Sequence, residues 1–176
     1  MTESKRQLES EVLLTAKRFQ VERITQQLSN GQSLTRDIVR HPGAVVIVPV
    51  LDDGRICLIK NYRVAVDREL LELPAGTLEP NEPPLETARR ELIEETGYRC
   101  SDLQPLCQFF MSPGILDERM HAFLATGLQA GPAARELGEE IENLLVSLEE
   151  LDQLLQAGQI QDSKSLSALL YYMRYR

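Results

Sequence analysis

The side chains with the most chemical content lie between Gly76 and Tyr98. Pro83 and Pro84 suit the first turn of a helix, and Gly97 suits its end. At the helical step of about 100° per residue, Leu85, Ala88 and Leu92 fall within about 60° of one another and form a face that packs on a core. Glu91, Glu94 and Glu95 cover an adjacent face spanning about 100°. Glu91 and Glu95 are i,i+4 neighbours, so their carboxylates stack on successive turns and repel by a few tenths of a kcal/mol in water alone. A hard divalent cation reverses the sign of that interaction, because Mg²⁺ takes oxygen ligands. Arg90 and Glu94 are also i,i+4 partners, and an arginine fork can hold a carboxylate in one orientation. Glu82, at the helix start, suits the positive end of the helix dipole. Taken without its surroundings, this face reads better as a solvated acidic stripe than as a cation site, since charge runs on helices are usually solvated.

Other elements must carry that helix. Residues 11–41 have strand character around a turn at Ser29-Asn30-Gly31, where Asn-Gly is a strong hairpin signal. Residues 1–10 are polar and are expected to be mobile or weakly helical. His41-Pro42-Gly43 breaks the chain. Ala44 to Leu51 is a continuous apolar run, the pattern of a strand buried on both faces. Asp52-Asp53-Gly54 turns it into a second strand, Arg55 to Asn61. A short strand is expected over Glu69–Leu73, ending at Pro74-Ala75-Gly76, with two more near Leu103–Phe110 and His121–Ala125. Gly127 to Glu140 reads as loop and Ile141 to Val146 as a last strand. Two helices, about Ser147–Gln156 and Ser163–Tyr172, close the chain. Strands packed with a few helices predict a mixed α/β (α+β) sandwich. The expected division is an N-terminal β-hairpin subdomain over 1–41 and a main domain over 42–176.

Composition narrows the function classes. The 176 residues suffice for a core without disulfides or a structural metal. A formal net charge of −8 argues against broad nucleic-acid binding, which depends on Lys and Arg neutralising phosphates. An anionic substrate remains compatible if a cation lies between it and the protein. No apolar stretch of about 18 residues suggests a membrane span. The N-terminus has no apolar signal core, so a cytoplasmic location is expected. Cys57, Cys100 and Cys107 form no C-x-x-C pair and read as idle thiols. His41 and His121 show no ligand spacing and read as structural.

The full spacing adds what the helix alone does not. Gly76, five residues, Glu82, seven residues, then Arg90-Glu91-Leu92-Ile93-Glu94-Glu95-Thr96-Gly97-Tyr98 resembles the Nudix box, G-x5-E-x7-R-E-U-x-E-E-x-G-U with U a bulky apolar residue. All seven positions of fixed identity match, and Tyr98 departs mildly from the usual aliphatic. The resemblance implies a Nudix-type α/β/α sandwich with a mixed sheet and a metal-dependent pyrophosphohydrolase. It implies Glu91, Glu95 and the Ala75 carbonyl as ligands of Mg²⁺ (Mn²⁺ being possible), Glu94 as ligand or base, and Arg90 as the residue orienting the cluster. Pro113 stands fifteen residues after Tyr98, as in members that cleave ADP-ribose. Asn61-Tyr62-Arg63, Glu72-Leu73-Pro74-Ala75-Gly76 and Arg36 to Val45 resemble the same group. That group implies Arg63, Glu72 and Glu118 at the substrate. It also implies a late acidic residue over the metals: Glu136, Glu139, Glu140 and Glu142 are candidates for the general base, with Glu139 aligning best and also placed among the metal ligands. The expected reaction is hydrolysis of ADP-ribose to AMP and ribose 5-phosphate. GDP-mannose or another nucleotide sugar is the alternative, and a non-catalytic nucleotide-binding regulatory domain is disfavoured by the intact box. The group's N-terminal strands commonly pair two subunits, so a homodimer is expected.

Overall fold

The computed structural model describes residues 8–133 and 141–175. The chain divides into two compact units: the N-terminal part up to Gly43 together with Phe110–Arg119, and Ala44–Phe109 together with Met120–Arg176.

The first unit holds a three-stranded antiparallel sheet, β1 (Leu8–Thr15), β2 (Gln20–Gln27) and β3 (Ser33–Arg40), in the order β1-β2-β3. The β2–β3 hairpin turns where Asn-Gly predicts, and Gly31 has φ 84°. The expectation for residues 1–10 needs correction at its end. Leu8, Glu9 and Ser10 are strand, paired with Gln26, Thr25 and Ile24. The sheet therefore has a third strand beyond the expected hairpin. Pairing with β2 imposes extended structure on a polar segment whose own sequence has no strong strand periodicity. Arg40 donates to Glu22 and Asp117, and Asp117 also accepts the His41 amide at 2.8 Å.

The second unit is built on β4 (Ala44–Pro49), in which all six residues are buried. That is the continuous apolar run, explained by a strand covered on both faces. β4 lies between β7 (Ala75–Thr77), antiparallel to it, and β9 (Arg119–Ala130), parallel to it, in a mixed sheet of order β7-β4-β9-β8. β8 (Tyr98–Phe110) is an edge strand, which is where Pro105 is tolerated. A second sheet, β10-β5-β6, joins β5 (Ile56–Arg63), β6 (Arg68–Glu72) and β10 (Glu142–Val146). Helix α1 (Pro84–Glu91) packs on β4 and β7, and α3 (Ser163–Tyr175) packs on β4; α2 (Leu148–Gln156) lies against β10. Val45 and Ile47 share one buried cluster with Ala88, Leu92, Leu103, Phe123 and Ala125. Val46 and Val48, on the opposite face of the strand, are fully buried as well.

Three boundaries differ from expectation. β8 begins at Tyr98, directly after Gly97, and β9 runs on through Gly127 to Ala130, a segment expected to be loop. The short segment after Pro74 is a strand, because Ala44, Val45 and Val46 supply it with partners. Among the described residues no helix is long and apolar enough to cross a membrane.

Candidate active site

Helix α1 ends at Glu91 and continues as one π-helical turn, Leu92–Thr96. The wider turn changes the angular spacing that an ideal α-helix assigns to Glu94 and Glu95, and such turns recur at functional sites. Gly97 stops it with φ 78°, the left-handed conformation that favours glycine. The turn is tied down at its end. The Thr96 hydroxyl donates to the Leu92 carbonyl and accepts the Tyr98 amide at 3.1 Å, while Asn143 on β10 donates from Nδ2 to the Thr96 carbonyl at 2.8 Å.

Arg90 organises the acidic face. Its Nε and Nη2 form a fork on Glu82 at 3.1 and 3.0 Å, and its Nη1 donates to Glu91 Oε1 and to Glu94 Oε2, each at 2.8 Å. The expected pairing with Glu94 is present, and two further carboxylates share the same guanidinium. The hydrogen bond from Arg90 holds the Glu82 carboxyl below the usual carboxylate range, and the same bond raises Arg90.

Gly76 and Glu91 meet closely. A Cβ at position 76 would lie 1.9 Å from both Cδ and Oε1 of Glu91. Only glycine leaves the Glu91 carboxylate room beside β7. Glu95 is 4% exposed, and its Oε2 accepts the Ala75 amide at 2.9 Å. Pro74, one residue earlier, gives its carbonyl to the Ile47 amide at 2.9 Å. The Ala75–Gly76 backbone is thus fixed against the carboxylates of the helix it precedes.

These residues suit a hard divalent cation. Glu91, Glu94, Glu95 and the Ala75 carbonyl offer oxygen donors only, and the absence of a side chain at Gly76 lets the Glu91 carboxylate lie directly against the backbone next to Ala75. Among the described residues no three His, Cys, Asp or Glu side chains gather to enclose an ion. Glu82, Glu91 and Glu94 converge on Arg90 instead.

The remaining candidates are distributed unevenly. Arg63, at the end of β5, donates from Nε to Glu72 Oε1 at 2.8 Å and from Nη2 to Glu72 Oε2 at 2.6 Å. Glu72 is 1% exposed. Burial pushes its carboxyl up, but Arg63 and Lys164 outweigh this and hold it below its ordinary value. Glu118 belongs to the other unit, where it faces His41 Nδ1 at 3.6 Å. Glu136, Glu139 and Glu140 lie outside the described residues. Glu142, at the start of β10, is exposed and pairs with Lys60 at 3.1 Å. All three cysteines are free, and burial raises their thiols, Cys57 to about 12. Burial thus favours the neutral thiol at all three. No local signal in the sequence marks Asn143, Lys164 and Ser165, whose bonds to Thr96, Glu72 and Leu73 join residues far apart in the chain.

Comparison with known proteins agrees with this geometry. Residues 40–169 match the family model described as the NUDIX domain. The chain is 42% identical over 147 residues to the ADP-ribose pyrophosphatase of Bacillus subtilis (strain 168), covering 82% of this chain and 80% of that one. It is 40% identical over 147 residues to the methanol dehydrogenase activator of Bacillus methanolicus, with the same coverage of 82% and 80%. A solved crystal structure of an ADP compounds hydrolase superposes with a TM-score of 0.85 at 26% identity, covering 97% of this chain and 94% of that chain. A glycine that admits a glutamate, an arginine that gathers that glutamate with two more and a family match spanning most of the sequence have one reading: the chain belongs to the Nudix hydrolase family.

Proposed function

We propose that the protein hydrolyses the pyrophosphate bond of ADP-ribose, taking up one water and releasing AMP and ribose 5-phosphate. The observation that carries this reading is the seating of Glu91 against Gly76 beside the buried Glu95. Glu91, Glu95 and the Ala75 carbonyl are the residues that would hold Mg²⁺, or Mn²⁺ in its place, together with Glu139. When bound, the ion would neutralise charge on the pyrophosphate oxygens and lower the pKa of a bound water.

The side chains supply positioning and proton transfer. Arg90 keeps Glu94 in one orientation through the 2.8 Å bond to its Oε2. Glu94 or Glu139 receives the proton of the attacking water, as general bases do when held within reach of it. Arg63 takes an anionic group of the substrate, and Glu72 acts behind it by fixing the guanidinium plane. Every residue of β1 is exposed, Leu8, Val12 and Leu14 among them. An exposed edge strand that leaves these apolar side chains open supports a homodimer in which a second copy covers it. We place the protein in the cytoplasm.

The test is release of AMP from ADP-ribose with and without Mg²⁺, with GDP-mannose and other nucleotide sugars run in parallel. Fast, metal-dependent release from ADP-ribose is expected. Turnover of GDP-mannose with none of ADP-ribose would replace the substrate while keeping the chemistry.

A further inference from the structure

Helix α3 begins with a charged cluster that reaches back to the segment preceding the box. Glu72 Oε2 accepts two short bonds, one from Arg63 Nη2 and one from Lys164 Nζ, each at 2.6 Å. Lys164 also donates to Asp162 Oδ2 at 2.7 Å, and its side chain is 12% exposed. Asp162 Oδ2 accepts the Ser165 amide at 3.0 Å. The Ser165 hydroxyl oxygen in turn accepts the Leu73 amide at 2.7 Å, one residue beyond Glu72. Arg63, Glu72, Lys164 and Asp162 together contribute two positive and two negative charges. In a partly buried group of this kind, removing one charge leaves its partners uncompensated.

The geometry points to Lys164 as a positioning residue for substrate binding: it fixes Glu72, and through Glu72 the direction in which Arg63 presents its guanidinium. This rests on the reading above that Arg63 meets the substrate. The terminal torsion of a glutamate is broad and roughly two-fold, so one arginine alone leaves the carboxylate plane loosely set. Lys164 approaches Oε2 from α3 while Arg63 spans both oxygens from β5, and the two together define that plane. An arginine fork lies in the plane of its carboxylate, so fixing one fixes the other. Lys164 acts through Glu72: its ammonium bonds to Glu72 and Asp162, and its side chain is largely buried.

The test is a double-mutant cycle read as KM and kcat on ADP-ribose, with circular dichroism and Tm on each variant. Lys164→Met is expected to raise KM about tenfold with kcat within about threefold, and Lys164→Arg to return KM to within about threefold of wild type. In an Arg63→Ala background, Lys164→Met is expected to change KM less than about twofold, since residues acting through one another are not additive. If Lys164→Met fails to fold, Lys164→Gln, which keeps a donor for Glu72, takes its place in the same cycle. An undiminished KM effect of the Lys164 change in the Arg63→Ala background would overturn the proposal alone. So would an unchanged KM in Lys164→Met. An unchanged KM in Arg63→Ala would overturn the substrate role of Arg63 and the proposal with it. If the wild type turns over another nucleotide sugar instead, the cycle is run on that substrate with the same expected outcomes.

Discussion

Replacing Gly76 by alanine adds one methyl group where the structure has no space for it. The new Cβ would sit 1.9 Å from Cδ and Oε1 of Glu91 and 2.5 Å from its Cγ. Carbon atoms in contact rest at about 3.5–4.0 Å, so the Glu91 carboxylate must retreat by about 1.5–2 Å. Gly76 is not among the residues with positive φ, so the backbone accepts alanine without strain. What moves is the far end of a flexible side chain. The cost in stability is therefore small, within about 1 kcal/mol, and is partly offset by the lower entropy of the unfolded chain. The cost in catalysis is large, because a displacement of about 1 Å at a positioned group can lose about 100-fold. At about 1.36 kcal/mol per factor of ten, that is about 2.7 kcal/mol of transition-state stabilisation. The assay is kcat/KM for AMP release from ADP-ribose across a Mg²⁺ titration, beside a thermal melt. The expected result is a fall of about 100-fold or more, a weaker apparent affinity for the metal and a nearly unchanged Tm. A kcat/KM within about twofold of wild type would refute the argument that Glu91 must occupy the space beside Gly76.

Glu94→Gln and Glu95→Gln are each expected to lower kcat about 100-fold or more with the circular dichroism spectrum retained, as for loss of a general base or a metal-binding carboxylate; full activity in both would remove the assignment of this face to the reaction. Gly97→Ala is expected to destabilise by about 2–4 kcal/mol, since φ 78° is strained for alanine and its Cβ would meet the Gly131 carbonyl at 2.5 Å; an unchanged Tm would contradict it. Glu72, held below its ordinary pKa of 4.5 by Arg63 and Lys164 against the effect of burial, supplies stability that is complete above that value and is lost as pH falls through the lowered one. The Tm difference between wild type and Glu72→Gln should thus shrink on acidification below 4.5, and a difference constant from neutral to strongly acid pH would count against the ion-pair account. Light scattering should give about twice the 19.9 kDa chain mass for a homodimer, and a monomer mass independent of concentration would defeat that reading.

Features that depend on near neighbours along the chain were legible in the residues alone. Arg90 and Glu94 meet because four residues of helix bring them together. Gly97 ends the turn because glycine accepts its φ of 78°. The apolar run from Ala44 is a doubly covered strand, and the spacing from Gly76 to Tyr98 marked the box as a unit. Tertiary structure decided what depends on distant partners. The β1 strand needs β2 to exist, and a polar segment carries no periodic signal of that pairing. The reason Gly76 must be glycine is the Glu91 carboxylate delivered to it by the packing of α1 on β7. Lys164 reaches Glu72, and Ser165 reaches Leu73, each across 92 residues. Spacing along a helix or strand fixes directions over a few residues only. Which lysine arrives at a buried carboxylate is set by how β4, β5 and α3 are brought together, and that arrangement leaves no local pattern in the sequence.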